Sequence, residues 1–104
     1  MNAAQTYHRA RALQKLGRTA EATPLLQELV RSALQSLQNA DTAPSSGNPR
    51  QARQSRLLMG HYAAALGHIG LGQTREAKDE LNQALAINPA HAGVRAALAS
   101  VDRP

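Results

Sequence analysis

One hexapeptide is written twice in this chain. GRTAEA at residues 17–22 returns as GQTREA at residues 72–77, 55 positions further on. Both copies keep a Gly, a Thr two residues later, then a Glu and an Ala. A Gly after an apolar-periodic run can take the left-handed angles that close a helix. The Thr can cap the next helix by accepting from its free amides. The Glu falls in the first turn, where the helix dipole favours negative charge. The Ala then sits where two helices must approach closely. The stretch predicts the tight corner of a helical hairpin, and the chain makes that corner twice.

The rest of the chain divides around the two corners. Residues 3–16 predict a first helix, broken at Gly17. Residues 20–38 predict a second, in which Leu25, Leu26, Leu29, Val30, Ala33, Leu34 and Leu37 recur at three- and four-residue spacing as one wide apolar stripe. Pro24 lies early in that helix. Either the helix is kinked there, or it starts late with Thr23 as cap and Pro24 as first residue. Residues 39–49, NADTAPSSGNP, are polar and rich in turn formers, and predict a loop. A third helix is expected from about Arg50 to Leu71, with Leu57, Leu58, Tyr62, Ala65, Leu66 and Ile69 on one side. A fourth, about 75–87, would bury Ala77, Leu81, Ala84 and Leu85. Asn88-Pro89 ends it, because the residue before a proline is pushed away from helical angles. A last helix, about 90–101, shows Val94, Ala97, Leu98 and Val101.

Composition agrees with an all-α chain. At 104 residues it is one domain by size. Tyr7 and Tyr62 are the only aromatics, so Leu, Ile, Val and Ala must fill the core. Ala and Leu are strong helix formers, and the sparse β-branched residues argue against a sheet. There is no Cys, hence no disulfide framework and no thiolate metal site. No signal-peptide pattern and no membrane-length apolar run is present, so the cytoplasm is the default expectation.

Beyond the corner, Tyr7 pairs with Tyr62, Ala10 with Ala65, Leu16 with Leu71 and Leu26 with Leu81. Repeated helix pairs of this size stack as solenoids. The second copy, HYAAALGHIGLGQTREAKDELNQALAINP, resembles the tetratricopeptide repeat (TPR) family. It carries a small residue in the first helix (Ala65), the corner Gly72, Ala77, the large Leu81, the small Ala84 and the terminating Pro89. The first copy supplies Ala10, Leu13, Gly17, Ala22 and Leu26. The period of 55 exceeds the family's usual length of about 34, so roughly twenty extra residues lie between the corners. The resemblance implies antiparallel hairpins stacked as a short right-handed solenoid of about five helices: repeat one at about 3–38, loop 39–49, repeat two at about 50–88 and a capping helix at about 90–101. The ending ALAINPAHAGVRAAL is also similar to TPR-type tails of large bacterial proteins with unassigned or carbohydrate-related domains.

Reactive constellations are not evident. His61 and His68 are seven apart on one helix, a rise of about 10.5 Å, too far for both to hold one metal. GHIGLGQ, residues 67–73, lacks the spacing of a phosphate loop and has no strand before it. Its glycines suit close helix contact. Asp79 and Glu80 are neighbours that point about 100° apart on a helix, not a paired acid and base. The expectation is no enzyme, no cofactor and no metal.

Charge is the remaining clue. Net charge is +5; residues 1–56 hold eight Arg/Lys against three acids, whereas residues 57–104 hold four of each. Arg50, Arg53 and Arg56 fall at three-residue spacing. They could touch phosphates, but no aromatic lies among them to stack a base, and nucleic acid is a minor alternative. The TPR family binds peptides or partner domains along the concave face made by the first helix of each pair. Carried over by position, that face takes in Tyr7, Arg11 and Gln14 in repeat one and Met59, Tyr62, Leu66 and Ile69 in repeat two. It reads as a hydrophobic groove with one basic end. Alternatively, Tyr62, Leu66 and Ile69 pack under the linker or against the last helix. The leading expectation is a non-catalytic protein–protein interaction module, with self-association as a homodimer an option within it. The alternatives are an accessory domain of a larger bacterial enzyme and weak nucleic-acid binding through the basic first half.

Overall fold

The computed structural model describes residues 3–39 and 47–102. It is an all-α stack of five helices: α1 (Ala3–Lys15), α2 (Thr19–Gln38), α3 (Pro49–Gly70), α4 (Thr74–Ile87) and α5 (Ala92–Asp102). Most of loop 39–49, namely 40–46, lies outside the described residues. No strand occurs among the described residues.

The two corners are the same object. Gly17 and Gly72 have φ of 78° and 79°. Around the first, Gly17 N donates to Gln14 O at 3.1 Å and Arg18 N to Leu13 O at 2.8 Å. Around the second, Gly72 N donates to Ile69 O at 3.1 Å and Gln73 N to His68 O at 2.8 Å. This pair of bonds is a Schellman closure, which satisfies the last carbonyls of the outgoing helix. The expected Thr cap is corrected here. Arg18 and Gln73 occupy the N-cap positions, and neither makes a side-chain cap bond. The link is so short that the residue closing one helix also opens the next, which places Thr19 and Thr74 one position inside. Glu21 and Glu76 do fall in the first turns.

Pro24 lies within α2, which begins at Thr19 and not at the proline. Because Pro has no N–H, the carbonyl of Ala20 loses its ordinary helical partner, but Ala20 is exposed and water can serve it. At the start of α3, Asn48 Oδ1 accepts from Arg50 N at 3.0 Å and Gln51 N at 3.3 Å. Pro49 stands at the first helical position, where its missing N–H costs nothing.

Packing repeats with the corners. Ala10, Ala22 and Leu26 are fully buried, and so are Ala65, Ala77 and Leu81, their counterparts 55 positions on. The first set forms a core cluster with Tyr7, Leu13, Leu25 and Leu71 packed on it. The second cluster adds Ala84 and Val94, with Leu58, Tyr62, Leu85, Ala97, Leu98 and Val101 around it. α3 packs against α1, α2, α4 and α5; Leu58, Tyr62 and Ala65 join the second cluster, and the α3 C-cap residue Leu71 joins the first. Its approach to α2 is close because Gly60, Gly67 and Gly70 line that side. A Cβ at Gly60 would stand 2.6 Å from Leu37 Cδ2, and one at Gly67 or Gly70 would strike Val30 or Leu26.

Candidate functional site: two grooves bordered by α1 and α3

Helix length decides what the surface looks like. α1 has 13 residues, α2 has 20 and α3 has 22. At about 1.5 Å per residue, the α2–α3 pair runs roughly 10 Å past the start of α1. A wide groove of about 970 Å³ opens there. Ala3, Ala4 and Thr6 close one end, and Leu25, Leu29, Ala33 and Ser36 of α2 face Arg56, Met59, Gly60 and Ala63 of α3. A smaller groove of about 230 Å³ lies between α1, α3 and α5, bordered by Tyr7, His8, Tyr62, Leu66, Ile69 and Ala97. The two share Ala4 and Tyr62.

The seven residues singled out by sequence therefore divide. Tyr7, Tyr62, Leu66 and Ile69 come together in the smaller groove. Met59 lines the larger one and is 50% exposed. Leu66 is 4% exposed and contributes mostly core. Gln14 is a tie between helices, because its Nε2 donates to Gly70 O at 2.9 Å. Arg11 is exposed, and its Nη1 donates to Gln14 Oε1 at 3.0 Å.

α5 settles part of the packing question raised by the sequence. Tyr62 reaches the start of α5, where its hydroxyl would lie 2.9 Å from a Cβ at Gly93 and its ring is 5.5 Å from that of His91. Burial pushes the Tyr62 phenol above its ordinary value of 10.0, and the neighbouring Tyr7 phenol adds to the shift. His91 in turn holds the helix start, as Val94 N donates to its Nδ1 at 3.1 Å. Just before it, Asn88 Oδ1 accepts from Ala90 N at 3.1 Å. Neither contact was foreseen from sequence, although Asn before a proline is a usual turn former.

Four charged groups form two exposed surface pairs. Arg18 pairs with Glu21, and Arg31 with Glu28 at 2.7 Å, all four side chains more than half exposed. Hydrogen bonding from Arg31 holds the Glu28 carboxyl below its ordinary range. Exposed pairs of this kind contribute little to stability. The more protected contact is His61 Nδ1 to Glu80 Oε2, 2.6 Å, between α3 and α4. His68 Nδ1 meets Gln73 Oε1 at 2.6 Å across the second corner. His61 and His68 thus have different partners. Among the described residues no three His, Asp or Glu side chains cluster as a metal set, and no helix is long and apolar enough to cross a membrane.

No protein-family model, no curated protein and no solved structure matches the chain.

Proposed function

We propose that this chain is a non-catalytic interaction module of tetratricopeptide type that holds a peptide or a partner domain. The observation that carries this reading is the groove between α1, α3 and α5, in which Tyr7, Tyr62 and Ile69 line one apolar surface. The reading is further supported by the doubled corner and by the matching buried positions of the two hairpins. Half-buried tyrosines suit binding surfaces, since they offer large contact area with few rotors to immobilise. Self-association is the second reading, favoured by Leu16 at 70%, Met59 at 50% and Leu34 at 43% exposed.

The test is affinity capture with native lysate, comparing wild type with a Tyr7→Ala/Ile69→Ala variant shown by circular dichroism to be folded. Captured proteins are then titrated directly against both forms. Loss of about tenfold in affinity or more in the variant is expected for a partner seated on this face. Partners bound equally by both forms would remove the face from consideration. Sedimentation equilibrium separates the homodimer reading from the heterologous one.

A further inference from the structure

We infer that the larger groove, where α2 and α3 run past the start of α1, seats a short acidic amphipathic helix of another protein. The inference takes from the preceding reading only that the chain is a binding module, since it concerns a different surface.

Three observations converge on that occupant. The first is shape. α1 already lies as a helix against α2 and α3, placing Tyr7 and Leu13 on the Ala22–Leu26 cluster. The larger groove begins where α1 begins and continues between the same two helices. The stretch between α2 and α3 beyond the start of α1, about 10 Å, corresponds to about two helical turns. The second is surface chemistry. Leu29 and Ala33 of α2 and Gly60 and Ala63 of α3 form a floor of small and apolar groups, with Met59 exposed at its edge. Met adapts to varied apolar partners because its side chain is unbranched and polarizable. The small groups at Ala33, Gly60 and Ala63 let a helix backbone come close. The third is charge. Arg50, Arg53 and Arg56 all fall within the first eight residues of α3. Arg56 lines the groove, and Arg53 lies one turn from it on the same helix. α1 and α3 contain no Asp or Glu at all. Glu28, the acid on the groove's other wall, is paired with Arg31. An acidic segment is therefore drawn to this end of the molecule and a basic one repelled. A nucleic acid would use the arginines but not the apolar floor, so the combination favours a helix with leucines on one face and carboxylates on the other.

The experiment uses fluorescence anisotropy with the full chain and a synthetic peptide a few turns long. The peptide has Leu at helical spacing on one face and Glu elsewhere. Its comparators are the same peptide with Lys for Glu, a scramble of the Glu peptide, and an oligothymidylate of equal charge. The Glu peptide is expected to bind, with the scramble at least about tenfold weaker and the Lys peptide silent. Met59→Asp and, separately, Arg53→Glu/Arg56→Glu are each expected to weaken binding about tenfold or more. Both sets of substitutions fall outside the buried core, and circular dichroism confirms the fold. Ile69→Ala, in the other groove, is expected to leave this affinity unchanged. Failure of the Glu peptide to bind overturns the inference. So do equal binding of the scramble, indifference to Met59→Asp, or tighter binding of the oligothymidylate. If Ile69→Ala alone abolishes binding, the smaller groove is the seat and the interaction-module reading survives without this one.

Discussion

Glycine does two different jobs in this chain, and substitution separates them. At Gly17 and Gly72 the backbone is left-handed, and a Cβ there would have none of the described residues within 4 Å. Ala at either site meets open space but strained angles, and should destabilise the chain by about 1–2 kcal/mol in urea unfolding. At Gly70 the backbone is ordinary helix, but a Cβ would strike Leu26, which is fully buried. Overpacking of about 1–3 kcal/mol then exceeds the gain in helix propensity of about 1 kcal/mol, so Gly70→Ala should also destabilise. Gly60→Ala is expected to cost less than Gly70→Ala, because the Leu37 side chain that its Cβ meets at Cδ2 and Cγ is only half-buried and has more room to shift than Leu26. A Gly60→Ala variant as damaged as Gly70→Ala would contradict this account. Tyr62 supplies a test by pH. Its phenol is raised in the folded state by burial, so the stability it contributes is present below about pH 10 and is lost as pH rises through the raised value. In a Tyr7→Phe variant, absorbance of the remaining phenolate should appear above pH 10 in the folded protein and return to the ordinary range in urea.

At the scale of the helices, α3 is the shared member and α1 the weakest. α3 carries Ala64, Ala65 and Leu66 in the core and touches all four other helices, whereas α1 buries only Ala10 completely. Amide exchange should therefore be slowest between Ala64 and Gly70 and markedly faster through α1. Equal protection in the two would show that α1 is held by more than the Ala10 seat and the Gln14 tie. The same elements show what the sequence could and could not say. Helix ends at Gly17, Gly72 and Pro89 were readable because glycine takes left-handed angles without strain and proline bars helical angles to the residue before it. The assignment of Thr19 and Thr74 as caps failed because a three-residue link leaves no separate cap position. The cap at Asn48 was legible in principle as Asn followed by Pro, whereas His91 as a cap had no usual signature. Met59 was grouped with Tyr62 and Ile69 because the tetratricopeptide resemblance carried a concave face over to all of them by position. What parts them is the unequal length of α1 and α2, and that depends on where a neighbouring helix stops.

For the molecule as a whole, the long connection between hairpins produces the surface. Extra residues between the corners lengthen α2 and α3 but not α1, and the larger groove is the result. Acidic residues are absent from the first helix of each hairpin and present in α2 and α4. The two faces of the stack therefore differ in charge as well as in shape. The order of packing has a kinetic meaning too. Among the described residues each helix touches the next in the chain, and only the α1–α3 and α3–α5 contacts skip a member. Assembly can proceed from hairpin to hairpin without first closing a loop across the whole polypeptide, so the entropic toll on the folding barrier is small. Helical proteins rich in near-neighbour contacts fold in roughly microseconds to milliseconds, leaving little time for the leucine-rich stripe of α2 to meet those of other molecules.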